Sequence, residues 1–227
     1  MKVSILYVVA TPIGNLEDIT LRALRVLKEA DLILCEDTRQ TKKLLNHYGI
    51  SRPTLSCHQH SQPEKISQII ALLKEGKNLA LVSDAGTPGI SDPGSKLVDA
   101  VVKSLGEGIK IIPIPGPSAL ISAASISGFG VDRFLFLGFL PHKKGRETLI
   151  REIAASAYPV VFYESPHRII RALGQLREAL AVDRQITVGR ELTKKFESVY
   201  RGTAEEVMEK LSTDQVKGEF VVVVNRK

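Results

Sequence analysis

Nearly unbroken runs of Ile, Leu and Val alternate with apolar stripes at helical spacing through the first half of the chain. The runs at 5–9, 32–35, 79–82 and 109–114 read as strands buried on both faces, because a strand covered on one face would alternate apolar with polar. Between them Leu21, Leu24 and Leu27 recur on one helical face, with Asp18 or Thr20 as N-cap. Ile66, Ile69, Ile70 and Leu73 form a second stripe, and Leu97, Val98 and Val101 a third. This alternation of strand and helix predicts a doubly wound parallel sheet.

The second half changes character. Strand candidates at 134–140, 160–163, 186–188 and 220–224 interleave with helices predicted over 145–157, 166–180 and 203–212. The middle helix is signalled by Ser165 as N-cap, Pro166 at the first helical position, and the stripe Ile169, Ile170, Leu173, Leu176 and Leu180. Pro113-Ile114-Pro115-Gly116-Pro117 interrupts the chain at its midpoint. The expected organisation is α/β throughout: a doubly wound parallel-sheet domain over 1–115 and an α/β domain with a mixed sheet over 116–227.

Composition narrows this picture. At 227 residues, 44% hydrophobic and 25% charged, the chain is long enough for a full core and has the balance of a globular protein. No apolar stretch approaches the ~20 residues of a membrane span. The start, Met1-Lys2-Val3-Ser4, runs straight into a strand pattern, so no leader is expected, no membrane partner, and a cytoplasmic location. Net charge is +6, of which residues 1–115 contribute +2 and residues 116–227 contribute +4. That excess is compatible with a nucleic-acid partner without requiring one. Cys35 and Cys57 have no paired spacing and read as free thiols in a reducing compartment.

Polar and conformationally special residues collect where strands end. Thr11-Pro12-Ile13-Gly14-Asn15 follows the first strand, and Cys35-Glu36-Asp37-Thr38-Arg39 the second. Ser83-Asp84-Ala85-Gly86-Thr87-Pro88-Gly89-Ile90-Ser91-Asp92-Pro93-Gly94 follows the third. Pro115-Gly116-Pro117-Ser118-Ala119 and Tyr163-Glu164-Ser165-Pro166-His167-Arg168 complete the set. Any one of them reads equally as a plain turn. Together, at the carboxyl ends of strands, they predict a ligand pocket. Neither GxxxxGK[ST] nor GxGxxG occurs, so the ligand is not gripped through phosphates.

These same segments, spread in order from about Leu6 to Val224, closely resemble the tetrapyrrole (corrin/porphyrin) methylase superfamily. Within it they resemble the branch that methylates the 2′-hydroxyl of a cytidine in bacterial small-subunit (16S) ribosomal RNA. The resemblance implies two α/β domains with S-adenosylmethionine in the cleft between them, and a homodimer acting on 16S RNA or the small ribosomal subunit. Family members commonly carry Gly-Asp-Pro-Gly after the third strand; here the corresponding piece is Ser83-Asp84-Ala85-Gly86-Thr87. By that match Asp84, Ala85, Gly86 and Thr87 contact the methionine part of the cofactor, Pro12, Ser118 and Ala119 lie near it, and Tyr163 and Glu164 face it. A phosphate-free sulfonium suits a loop of bare backbone and carboxylate.

Methyl transfer to an alcohol needs in-line alignment and a place for the hydroxyl proton. Glu36, Asp37, Glu191 and Lys194 are the candidate bases; the residues do not single one out, and catalysis by positioning alone stays open. For RNA, Arg39, Lys143, Lys144, Arg146 and Arg168 offer positive charge, and His58 and His60 substrate contacts rather than metal ligands. The run His142-Lys143-Lys144-Gly145-Arg146 reads either as a mobile binding loop or as a solvated helix start. Two other readings remain: a corrin-type or other methyltransferase of this family with a different substrate, and a noncatalytic RNA-binding module.

Overall fold

The computed structural model describes residues 3–57, 63–214 and 216–227, and the chain divides into two compact units, 1–118 and 119–227. The first unit is a five-stranded parallel sheet in the order β3-β2-β4-β1-β5, built from β1 (Ser4–Val9), β2 (Leu32–Cys35), β3 (Thr54–Ser56), β4 (Leu79–Leu81) and β5 (Ile109–Ile114). Successive residues of the central strands feed opposite faces, as the two-residue period of a strand dictates. Ile33, Cys35, Ala80 and Val82 pack with Ala23, Val26 and Leu27 of α1 (Leu21–Glu29) and Leu45 of α2 (Thr38–His47). Leu34, Leu79 and Leu81 pack on the other face with Ile69 and Leu73 of α3 (Pro63–Lys74) and Leu97 and Val101 of α4 (Gly94–Leu105).

Three local expectations are refined. Thr20, not Asp18, caps α1, its hydroxyl accepting from Ala23 N–H. β5 is an edge strand with Lys110 and Pro113 exposed rather than a strand buried on both faces, which is where proline is tolerated in a sheet. The short β3 and the polar helix α2 were not evident in the apolar pattern.

The second unit is a mixed sheet ordered β6-β7-β10-β8-β9: β6 (Leu135–Phe139), β7 (Val160–Glu164), β8 (Ile186–Arg190), β9 (Ser198–Gly202) and β10 (Phe220–Val224). β6 and β7 are parallel; the other neighbours are antiparallel. One face carries Val160, Phe162, Ile186, Val188, Phe220, Val222 and Val224 against α6 (Arg146–Ala155), α7 (Ile169–Ala179) and α8 (Ala204–Ser212). The opposite face contacts α5 (Ala119–Ile126). α7 starts at Ile169, not at Pro166 as expected. Ser165 Oγ accepts from Arg168 Nε and its carbonyl from Arg168 N–H, which holds 165–168 as a turn ahead of the helix.

Candidate active site

β2 and β4 are neighbours, so the loops that leave their carboxyl ends meet. The backbone N–H of Asp37 donates to Asp84 Oδ1 at 3.1 Å, and the nearby Asp84 backbone N–H favours the charged form of the Glu36 carboxyl. This bond ties together two strand ends whose residues lie almost fifty positions apart in sequence. Burial pushes the Glu36 carboxyl up, and the like charges of Asp92 and Asp84 push it the same way. Asp84 itself stays exposed. Behind it, Thr11 and Gly86 exchange backbone hydrogen bonds at 2.9 and 3.0 Å, with Gly86 at φ +79°. The positive φ favours glycine there, and a Cβ on Gly86 would also press on Ile13 Cγ2 at 3.3 Å. Thr87 Oγ1 donates to Pro117 O at 3.2 Å and ties this loop to the one preceding Ser118; Pro12 follows Thr11, half-buried.

Asp37 and Asp92, by contrast, are occupied by local structure. Asp37 is the N-cap of α2: it accepts from Arg39 N–H at 2.8 Å and grips the Arg39 guanidinium. The bonds to Arg39 hold its carboxyl down at about 2, which removes it as a base. Arg39 is exposed, though tied to this cap. Asp92 accepts from Gly89 N–H and Gly94 N–H, closing the loop onto the start of α4.

In the second unit, Tyr163 Oη accepts from the Leu120 N–H at the start of α5, beside Ala119, at 3.2 Å. Burial pushes the Tyr163 phenol up. Its ring is flanked by Phe136 at 5.1 Å and by Phe139 at 5.4 Å, the latter half exposed. The sequence reading did not single out these two phenylalanines. A register break between them, with Gly138 at φ +61°, brings Phe139 round onto Tyr163.

The segment after β8 holds two of the three described non-glycine residues with positive φ, Glu191 (+50°) and Thr193 (+68°). Such conformations cost free energy and collect at functional sites. Thr193 Oγ1 is buried with no hydrogen-bond partner among the described residues. Lys194 Nζ lies 2.9 Å from Glu191 Oε1 and 3.0 Å from Glu219 Oε2. Burial draws the ammonium pKa down, but the hydrogen bonds from these two carboxylates outweigh it and the net shift is upward. Lys194 is therefore a held cation, not the base the sequence allowed. Glu191 is the reverse case: burial raises it, and Lys194 with the Glu219 N–H brings it below its ordinary value. A Cβ on Gly218 (φ +92°) would lie 2.4 Å from the Glu191 carboxyl carbon. Gly218→Ala is expected to lower unfolding free energy by about 1–3 kcal/mol, measured by urea titration.

Two of the residues expected on an RNA-facing rim are not there. Arg146 is buried against Glu164, and Arg168 is mostly covered by the same carboxylate, whereas Lys143 and Lys144 are exposed. Glu164 has no exposed side-chain surface to offer a cofactor. His58 and His60 lie outside the described residues. Among the described residues no cluster of His, Cys, Asp and Glu is arranged to hold a metal, and no helix is long and apolar enough to cross a membrane.

Residues 5–208 match the family model described as Tetrapyrrole (Corrin/Porphyrin) Methylases. The chain is similar to a protein of Synechocystis sp. named ribosomal RNA small subunit methyltransferase I, at 47% identity over 97% of this chain and 78% of that one. The protein of the same name from Thermotoga maritima is 46% identical over 98% of both chains. Among solved structures, a cobalt precorrin-4 methyltransferase superposes with a TM-score of 0.70 at 16% identity, covering 97% of this chain and 94% of that one. The uroporphyrin-III C-methyltransferase of Thermus thermophilus gives 0.65 at 19% identity, covering 98% and 94%. At such identities these two structures speak for the fold alone.

Proposed function

Because this chain belongs to the tetrapyrrole (corrin/porphyrin) methylase family, we propose that it transfers a methyl group from S-adenosylmethionine to the 2′-hydroxyl of a cytidine in the 16S RNA of the bacterial small ribosomal subunit. One observation carries the reading: the relative named for small-subunit RNA methylation matches end to end, at 46% identity over 98% of both chains. The residues present suit the cofactor. The Thr11–Gly86 bridge leaves a close-approach backbone surface, Asp84 presents a carboxylate beside it, and neither demands a phosphate. In the second unit Tyr163, with Phe136 edge-on and Phe139 tilted against it, offers apolar ring surface.

When bound, S-adenosylmethionine supplies a methyl group on a sulfonium that leaves as a neutral thioether. The protein's share is alignment and proton removal. Asp84 and the backbone of 84–87 hold the ligand's polar end. Glu36, with its proton affinity raised by burial and by Asp92 and Asp84, is the group suited to accept the ribose proton. Lys194 acts as a fixed positive group, while Lys143 and Lys144 meet backbone phosphates. We further infer a homodimer in the cytoplasm. Exposed Leu135 on edge strand β6 and exposed Ile126 on α5 support the dimer, and light scattering giving twice the chain mass tests it.

Asp84→Ala is expected to weaken S-adenosylhomocysteine binding about 30-fold, the loss of one charge-assisted hydrogen bond of about 2 kcal/mol, in a calorimetric titration. Unchanged affinity removes Asp84 from the site. For the substrate, tritiated S-adenosylmethionine incubated with unmodified small ribosomal subunits should label 16S RNA. Label in a corrinoid instead, with RNA unlabelled, overturns the RNA reading, and no labelling with no cofactor binding leaves a noncatalytic module.

A further inference from the structure

β7 ends in a buried ion triad that the proposed methyl-transfer chemistry does not use. Glu164, with 0% of its side chain exposed, meets Arg146 Nη1 at 3.0 Å through Oε2 and Arg168 Nη2 at 2.7 Å through Oε1. Ser165 N–H donates to the same Oε1 at 2.9 Å. Two guanidiniums, with side chains 2% and 17% exposed, face one carboxylate, so the cluster carries an excess positive charge. Arg146 Nη2 is also buried with no partner among the described residues. An arrangement of this kind gains little or nothing in stability over an apolar packing of the same volume, so stability alone does not account for it.

The other guanidinium hydrogens show what the cluster does hold. Arg168 Nη1 donates to Leu140 O at 2.8 Å and Arg146 Nη1 to Pro141 O at 3.1 Å. Arg146 Nε donates to Gln175 Oε1 of α7 at 2.7 Å. Leu140 and Pro141 lead directly into the turn that carries exposed His142, Lys143 and Lys144. The turn closes through Gly145 at φ +85° into Arg146 itself, the first residue of α6. The triad therefore grips this basic turn at both ends, through carbonyls on one side and through Arg146's own side chain on the other. A turn fixed at both ends presents its lysines with less conformational freedom left to lose on binding.

We propose that Arg146, Glu164 and Arg168 form a positioning clamp that sets Lys143 and Lys144 in register with RNA backbone phosphates. This rests on the RNA reading above. It makes Glu164, Arg146 and Arg168 positioning residues that act through the two lysines, and not contacts of cofactor or RNA.

A double-mutant cycle on the full chain tests this, with unmodified small ribosomal subunits as the probe and binding measured against KCl concentration. Lys143→Ala with Lys144→Ala should reduce the slope of log K against log salt by about 1.5, the share of two phosphate contacts. Arg168→Gln leaves a balanced Arg146–Glu164 pair, and it should reproduce that slope change and raise KM about tenfold, with the effect in KM rather than kcat. Its affinity for S-adenosylhomocysteine should be that of the wild type. Added to the two-lysine variant, Arg168→Gln should cause no further loss, and Arg168→Lys should restore part of the binding. Losses that multiply instead overturn the clamp and make Arg168 a direct RNA contact, and a fall in S-adenosylhomocysteine affinity assigns the triad to the cofactor. Glu164→Gln repeats the cycle from the carboxylate side. Wild-type protein that neither binds nor methylates the subunits overturns the RNA reading itself, a different result from either.

Discussion

Replacing Glu36 by glutamine is expected to lower kcat for methyl transfer by about 10²–10³-fold while leaving the protein folded, because it removes the proton acceptor and keeps the shape. The pH dependence gives this result a direction. The ionised carboxylate is the base, so the wild-type rate is full above the Glu36 pKa and falls as pH drops through it. Burial, with Asp92 and Asp84 nearby, raises that pKa, so the fall begins at a higher pH than an ordinary carboxylate would give. Glu36→Gln should erase this limb of the profile. The stability consequence has its own sign. A carboxyl whose pKa is raised on folding favours the folded state at low pH, and this contribution is lost as pH rises through the folded value. At neutral pH the native protein bears the cost of the buried charge, so the glutamine variant should melt no lower than the wild type. Normal turnover would leave positioning as the whole of the catalysis.

Glu164→Ala should have the largest effect on stability. It removes the one carboxylate that, among the described residues, pairs with two largely buried guanidiniums, and breaking a buried pair from one side costs about 3–5 kcal/mol. For a unit of this size that is a drop of about 10–20 °C in the melting temperature, read by circular dichroism. Replacing all three members together with apolar residues (Arg146→Met, Glu164→Leu, Arg168→Met) should restore most of it, because no uncompensated charge is left. If the single alanine variant melts like the wild type, the triad is not the buried cluster described.

The fold was largely legible because its core strands are apolar runs. The period-two partition of Ile33 and Cys35 from Leu34, and of Ala80 and Val82 from Leu79 and Leu81, follows from the chain alone once helices cover both faces. β3 escaped because three residues give no pattern, and α2 because Thr38–His47 is mostly polar with Leu44 and Leu45 as its apolar residues. The motifs also led to the strand ends that carry the site, but not to what each side chain does there. Asp37 reads from the chain either as one of four candidate bases or as a helix cap, and the Arg39 N–H two residues on makes it the cap. Arg146 sat in a run that reads as solvated, and its burial depends on Glu164 and Gln175, which the chain brings up from elsewhere. The positive φ values of Glu191 and Thr193 leave no trace in composition, since neither is glycine.

The central claim is the atom that receives the methyl group. Small ribosomal subunits from bacteria that lack the modification, treated with the protein and S-adenosylmethionine, can be digested to nucleosides and resolved by mass spectrometry. The site described here should yield 2′-O-methylcytidine, in an amount that falls with Glu36→Gln and with Asp84→Ala. A cytidine methylated on its base, or no new methylated nucleoside under conditions where S-adenosylhomocysteine binds, would contradict it.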